Sequence, residues 1–238
     1  MGTEIGVVIA QYGQSALTEK CVAGLVEHHE GQFPIVVIDD GSRNRSEIRW
    51  LQDCSVATLI ALPRNRGVTH AWNTGARHLI QTYAVQRLVY LNNDVTTHGV
   101  WLPLICESLS GSAFILGHGW REERWMPDEL VPLVPDRRLL QGYCLAVASE
   151  TFVELGGFDP RLRLYFSDTD LQLRALLKYG DTALQAIPQL PIKHVGHQTV
   201  ANLSNRYGQW EADRQRFIAK WKHGMTVNRG SDASGSGL

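Results

Sequence analysis

Apolar positions in the first half of the chain follow two alternating rhythms. Ile5 to Ala10 is a nearly unbroken apolar run, the pattern of a strand covered on both faces. Leu17, Cys21, Gly24, Leu25 and His28 then recur at helical spacing. Ile35-Val36-Val37-Ile38 predicts a second buried strand, ended by Asp39-Asp40-Gly41-Ser42, and Ala57 to Leu62 a third. Val68, Ala71-Trp72, Gly75-Ala76, Leu79-Ile80 and Tyr83 form one continuous helical stripe; Arg87 to Leu91 then reads as a fourth strand, stopped by Asn92-Asn93-Asp94 ahead of a helix over 98–109. Strand and helix in this alternation predict an α/β fold, a mostly parallel sheet with helices on its faces.

The second half is less regular. Phe114-Ile115-Leu116 and Leu145 to Ala148 have strand character, and Ser149-Glu150 opens a short helix that Gly156-Gly157 ends. The charged, Pro-broken stretch from Trp120 to Arg138 predicts a long loop, with Trp120, Trp125 and the basic residues around them either a lid or plain surface. A helix is expected from about Ser167 to Tyr179, with Gly180 as its stop. Ser167-x-x-Asp170 has the spacing of a capping box at its start. Tyr207, Trp210, Phe217 and Trp221 share one helical face, expected to pack on the domain. The Ser/Gly-rich end, 229–238, predicts a disordered tail. No repeat or linker divides the chain, which predicts a single domain.

The composition belongs to a globular chain: 44% hydrophobic and 20% charged residues over 238 positions. Lys and Arg (23) balance Asp and Glu (24) to a formal charge of −1, so an electrostatic nucleic-acid binder is not expected. No apolar run reaches the roughly 18–20 residues of a membrane span. Four scattered cysteines without a C-x-x-C pair fit a reducing compartment better than a zinc or redox site.

Open parallel sheets bind ligands beyond the carboxyl ends of their strands, which is where Asp39-Asp40 and Asn92-Asn93-Asp94 fall. Several familiar chemistries lose their warrant. Gly117-His118-Gly119 lacks the third glycine of a dinucleotide fingerprint, and no Walker loop, H-E-x-x-H or G-x-S-x-G is present.

From about Ile5 to Thr199 the chain resembles an inverting family 2 glycosyltransferase of the GT-A fold. The resemblance rests on ordered motifs. Val7 to Tyr12 is similar to the opening strand, and Ile35 to Ser42 to the second strand with its D-D-G-S turn. Arg64-Asn65-Arg66-Gly67 with Asn73-Thr74-Gly75 resembles the N-x-G…N-x-G stretch. Leu91-Asn92-Asn93-Asp94 stands where the D-x-D motif does. Gly156-Gly157-Phe158-Asp159, then Ser167-Asp168-Thr169-Asp170-Leu171 and Arg174, resembles the G-G-F-D…E-D-x-D-L-x-x-R block, and His194-Val195-Gly196 the histidine that follows it.

The resemblance implies roles. Asp40 reads the nucleotide base with Asp39 beside it; a carboxylate acceptor suits the N–H edge of uracil or thymine. Tyr12 stacks on the base or belongs to the core. Asn65, Asn73 and Asn93 complete the nucleotide-binding set. Asp94 holds a divalent cation, Mn²⁺ or Mg²⁺; Asn92 in place of the first Asp either weakens the metal's hold or leaves His194 to complete the sphere, and a nitrogen ligand favours Mn²⁺. Asp168 maps to the base, with Ser167 where the family carries Glu. Gly142 and Asp170 map to the acceptor site, Asp170 having the alternative of a helix-start carboxylate favoured by the dipole.

Residues 1–110 would then be the nucleotide-sugar half and 111–228 the acceptor half of one domain. The implied activity is metal-assisted hexosyl transfer with inversion, from a UDP- or dTDP-sugar to a glycan or lipid-linked glycan in polysaccharide biosynthesis. The expected location is cytoplasmic, peripheral at the inner membrane surface where the acceptor is lipid-linked. A retaining transferase or sugar nucleotidyltransferase on the same fold, and a catalytically degenerate sugar-nucleotide- or glycan-binding module, are the alternatives.

Overall fold

The computed structural model describes residues 4–29, 33–44, 46–109, 114–121, 128, 138–196 and 205–231. In chain order the elements are β1 (Ile5–Gln11), α1 (Ser15–His28), β2 (Ile35–Asp39), α2 (Ser46–Asp53), β3 (Thr58–Ala61), α3 (Val68–His78), β4 (Arg87–Asn92), β5 (Val95–Thr97) and α4 (Leu102–Ser108). There follow β6 (Ile115–Gly117), β7 (Cys144–Ala148), α5 (Ser149–Glu154), α6 (Ser167–Tyr179), β8 (Leu184–Ala186), β9 (Ile192–His194) and α7 (Arg206–Ser231). One seven-stranded sheet has the order β3-β2-β1-β4-β7-β6-β8, and β5 pairs with β9 in a separate ribbon.

Four of the six strand pairings in the large sheet are parallel. Only β7 runs against its neighbours, β4 and β6. The mostly parallel α/β architecture expected from the sequence is therefore the one observed. Strand β1 lies at the centre of its half, and alternate side chains feed the two faces. Val8 joins Val36, Ile38, Ala71 and Trp72 on the face covered by α3, α6 and α7. Val7 and Ile9 join Cys21, Leu25, Val37 and Trp101 on the face covered by α1 and α4. Helix α3 sits so close to β1 that a Cβ at Gly75 would stand 2.4 Å from Val8 Cγ1. That glycine of the second N-x-G triplet serves packing.

Several boundaries differ from expectation. Helix α2 was not predicted: its short amphipathic run between Ser46 and Asp53 carries only Ile48, Trp50 and Leu51 as apolar signal. The stripe through Tyr83 is α-helical only to His78 and continues as a π-helical turn over Leu79–Tyr83. The helix expected from 98 starts at Leu102, behind a Trp101 that is fully buried. α6 runs from Ser167 to Tyr179 as expected, but no capping box forms. Its N-cap is Phe166, in the left-handed region at φ 63° without a side-chain cap hydrogen bond. α7 continues to Ser231, so the start of the expected tail is helical; 232–238 lie outside the described residues. Of the aromatic stripe on α7, Phe217 and Trp221 are buried, while Trp210 touches Phe166 at its edge and Tyr207 is 74% exposed.

Helix α7 clamps the loop leading into α6. The carboxylate of Asp213, fully buried, accepts from the backbone N–H groups of Arg163 (3.1 Å), Leu164 (2.8 Å) and Tyr165 (3.0 Å). Lys220 bridges Asp159 at 2.8 Å and Asp170 at 2.6 Å. Burial works against the charged form of Asp159, but the Arg161 and Lys220 side chains outweigh it and hold the carboxyl well below its ordinary range. Replacing Asp213 by Ala strands three partly buried backbone donors. It should cost about 3 kcal/mol, roughly 6–12 °C in Tm, by thermal unfolding.

Beneath the clamp, the Tyr90 ring packs among Trp72, Phe152 and Phe158, and its buried hydroxyl has no partner among the described residues. Tyr90→Phe removes a desolvated group without opening a cavity. It should raise the midpoint of denaturant unfolding by about 1 kcal/mol equivalent.

Candidate active site

The carboxyl ends of β2, β1 and β4 finish level with one another. Gln11 pairs with Asp39 and Ala10 with Asn92. With strands about 4.8 Å apart, the turns after β2 and β4 lie roughly 10 Å from each other on one edge. This edge carries the residues singled out from the sequence, and the side chains divide into those consumed by structure and those left to do chemistry.

The D-D-G-S turn is largely of the first kind. Asp39, 2% exposed, accepts from the amide of Gln11 at 3.2 Å and from both the hydroxyl and the backbone N–H of Ser42, while Ser42 Oγ accepts from Gly13 N–H at 2.8 Å. Asp40, 3% exposed, uses one oxygen for Arg66 N–H and the other for Gly67 N–H, both at 2.7 Å, and so ties the 64–67 loop to the strand end. Burial pushes its carboxyl above the usual range, against the pull of these two N–H groups. Each oxygen keeps a second lone pair. Tyr12 stands half-buried just beyond β1.

The asparagines expected at the nucleotide are drawn into internal contacts. Asn65 Oδ1 accepts from Arg163 at 2.7 Å. Asn73 holds the backbone of Phe158 from both sides, donating to its carbonyl at 2.8 Å and accepting from its N–H at 3.0 Å. Asn93 is 4% exposed and donates to Thr18 Oγ1 on α1 at 3.1 Å. Asp170, assigned above to the acceptor site or to the helix start, is fully buried between α6 and α7, where Arg174 (2.9 Å), Lys220 (2.6 Å) and the Trp221 indole N–H (3.1 Å) engage both its oxygens. Arg174 also donates to the carbonyls of Leu155 and, at 2.7 Å, Gly157, which ties the G-G-F-D turn to α6.

The remaining residues converge. The β5–β9 ribbon sets Val95 opposite His194, bringing His194 Nε2 to 3.1 Å from Asp94 Oδ1 and 3.4 Å from the side-chain nitrogen of Asn92. The Tyr143 ring stacks on His194, centroids 4.3 Å apart and planes 17° from parallel. Its hydroxyl hydrogen-bonds His118 Nδ1. Burial lowers the His118 pKa and pushes the Tyr143 hydroxyl up to about 12.

Among the described residues no three His, Cys, Asp or Glu side chains group around a common point. The donor set at the β4 turn is instead one carboxylate, one imidazole and one amide, whose O and N ends are interchangeable by a flip. Such a set fits a hard cation that takes its other ligands from a bound diphosphate.

Asp168 lies one residue further along the same path. Tyr143 carbonyl accepts from Asn92 N–H at 2.9 Å, and its neighbour Gly142 abuts Asp168 so closely that a Cβ there would stand 2.1 Å from Asp168 Oδ2. Only glycine fits. Arg121 donates to Asp168 Oδ2, and across the ribbon Trp120 faces Leu140. Trp125 and the rest of the expected lid, 122–127 and 129–137, lie outside the described residues.

Sequence reasoning missed His118, Tyr143, Arg121 and Asp213. Each acts across at least 25 positions, and no local spacing marks them. The four cysteines are free thiols, and among the described residues no helix is long and apolar enough to cross a membrane.

Comparison with solved structures agrees on the architecture. The chain superposes on the mannosyltransferase PcManGT from Pyrobaculum calidifontis, in complex with GDP-Man and Mn²⁺, with TM-score 0.58 and 18% identity over 84% of this chain and 60% of that one. GalNAc-T7 with UDP, GalNAc and Mn²⁺ gives 0.61 and 17%, over 81% of this chain and 44% of that one. S. aureus TarS 1-349 gives 0.57 and 9%, over 88% and 69%. The chain thus spans about half the length of the first two, and the likeness shows the GT-A fold. No curated protein matches it in sequence. The family model described as Glycosyl transferase family 2 matches residues 6–124, half of the chain, and the protein belongs to that family.

Proposed function

We propose that this protein transfers a sugar from a nucleoside-diphosphate donor to an acceptor hydroxyl with inversion, Asp168 serving as the base. One observation carries the reading. The dipeptide Gly142-Tyr143 has Asp168 against one residue and the Asn92–Asp94–His194 set against the other, so a carboxylate and a diphosphate-anchoring group flank one short stretch of backbone.

In the step proposed, the acceptor oxygen forms its bond to the anomeric carbon and gives its proton to Asp168. On the opposite side the bond from that carbon to the diphosphate oxygen breaks, its electron pair leaving with the nucleoside diphosphate. Asp94 Oδ1 and His194 Nε2, with the amide oxygen of Asn92, are the groups that would hold a divalent cation, Mn²⁺ ahead of Mg²⁺ because of the imidazole. When bound, such a cation neutralises charge growing on the leaving diphosphate. Tyr143 fixes the plane of the His194 ring, and His118 fixes Tyr143.

Asp39, Asp40, Tyr12 and Asn65 border the nucleotide end. A remaining lone pair of Asp40 suits the N–H of uracil or thymine, favouring UDP or dTDP; the solved relatives carry GDP-Man in one case and UDP in another. The acceptor is a glycan, free or lipid-linked, which sets the protein in polysaccharide biosynthesis at the cytoplasmic face of the membrane.

The test is release of nucleoside diphosphate from a panel of UDP-, dTDP- and GDP-sugars with Mn²⁺ and glycan acceptors, with the product's anomeric configuration read by NMR. Asp168→Asn should lower kcat by about 100-fold or more while calorimetric binding of UDP with Mn²⁺ stays within about twofold. Wild-type turnover in that variant removes the base. Tight nucleotide binding by the wild type with no turnover of any donor would instead favour a binding module.

His194→Ala should raise the Mn²⁺ concentration for half-maximal activity by roughly tenfold or more. An unchanged metal titration would take His194 out of the sphere.

A further inference from the structure

The carboxylate of Asp168 is engaged on one oxygen. Arg121 donates from Nη2 to Oδ2 and from Nη1 to Thr169 Oγ1 at 2.8 Å, spanning two consecutive residues at the start of α6. The two side chains are only 21% and 16% exposed, so this ion pair is shielded from bulk solvent. The same Oδ2 is the atom pressed against Gly142. Among the described residues no donor reaches Oδ1.

Arg121 is itself held in register. Its N–H donates to Leu139 carbonyl at 2.6 Å, and Gln141 N–H donates to Gly119 carbonyl at 2.9 Å, so the segments around Trp120 and Leu140 form a narrow ribbon. Gln172 of α6 grips that ribbon at Leu140 from both sides, accepting from its N–H at 2.6 Å and donating to its carbonyl at 3.1 Å. The guanidinium and the glycine therefore sit on a ribbon closed by two backbone hydrogen bonds, and the carboxylate on α6, which holds that ribbon through two more from Gln172. Ser167, 2% exposed, stands where the related motif has Glu, so no adjoining carboxylate competes for the guanidinium.

We propose that Arg121 is the positioning residue of the base: it seats Oδ2 of Asp168 against Gly142 and leaves Oδ1 turned toward the acceptor hydroxyl. This rests on reading Asp168 as the base. A guanidinium suits the task because its fixed fork meets Asp168 and Thr169 at once, which an ammonium on a flexible stem does less rigidly.

Crystal structures and kinetics of Arg121→Met and Arg121→Lys, beside Asp168→Asn, test it. In Arg121→Met the carboxylate should leave the Gly142 face, and kcat should fall about 10- to 100-fold while the donor KM stays within about twofold, since a misaimed reacting group affects the chemical step rather than donor binding. Arg121→Lys should keep the carboxylate seated and recover part of the rate. A purely structural arginine would lower Tm and spare kcat. An Arg121→Met protein with Asp168 still seated, or with wild-type kcat while Asp168→Asn has lost it, overturns the assignment and leaves the base standing. Wild-type turnover in Asp168→Asn sinks the base, and Arg121's role falls with it. The crystallographic comparison decides the seating without any turnover.

Discussion

The antiparallel entry of β7 against β4 is the contact on which the site depends. The parallel half of the sheet, β3-β2-β1-β4, can align its own strand ends but offers only the Asp39-Asp40 and Asn92-Asp94 turns. By running backwards beside β4, β7 starts where β4 stops: Leu91 pairs with Cys144, and Asn92 N–H reaches the Tyr143 carbonyl. The residues just before β7 are thereby delivered to the edge that carries the Asn92-Asp94 turn. Gly142 then receives Asp168, and Tyr143 receives His194. Had β7 been parallel, its first residues would lie at the opposite end of the sheet.

Most carboxylates near this edge are spent on holding the chain. Asp39 closes a turn, Asp40 ties down the 64–67 loop, Asp213 gathers three backbone N–H groups and Asp170 sits in a cage of Arg174, Lys220 and Trp221. Buried carboxylates in such numbers are tolerable because each is supplied with donors; stranding one would leave an expensive charge without compensation. Asp213, and Lys220 between Asp159 and Asp170, fix the loop from Asp159 to Phe166, whose last residue adopts a left-handed conformation that costs a non-glycine roughly 1 kcal/mol. The Phe166 ring, stacked on Phe217 at 5.1 Å, keeps that residue in place and aims the first turn of α6.

The fold's parallel half was legible because its strands are apolar on both faces and its helices keep one stripe, and these patterns are local. Strand β5, strand β9 and the ribbon at Trp120 and Leu140 were not legible. Each is two or three residues of pairing whose partner lies far along the chain, and three-residue strands carry no period. At the site, the order of motifs led to Asp94, His194, Gly142 and Asp168, which do meet in pairs. The same reading could not separate Asp168 from Asp170, because the acidic spacing at a helix start says nothing about which carboxylate faces outward. One residue's shift along a helix turns a side chain by about 100°, and here that separates the partly shielded position 168 from the fully buried position 170 two steps on.

What distinguishes Asp168 from its neighbours is the count of donors it meets. A structural carboxylate uses both oxygens: Asp170 does so with three side chains, Asp213 with backbone and side-chain donors, Asp40 with two backbone N–H groups. Asp168 is also partly shielded, yet its contacts with the described residues fall on Oδ2 alone, from the Arg121 side chain. A group seated firmly on one side and open on the other is poor value for stability, since the unengaged oxygen has been partly withdrawn from water for no internal partner. That imbalance is what a base requires: orientation comes from the engaged oxygen and reactivity from the other.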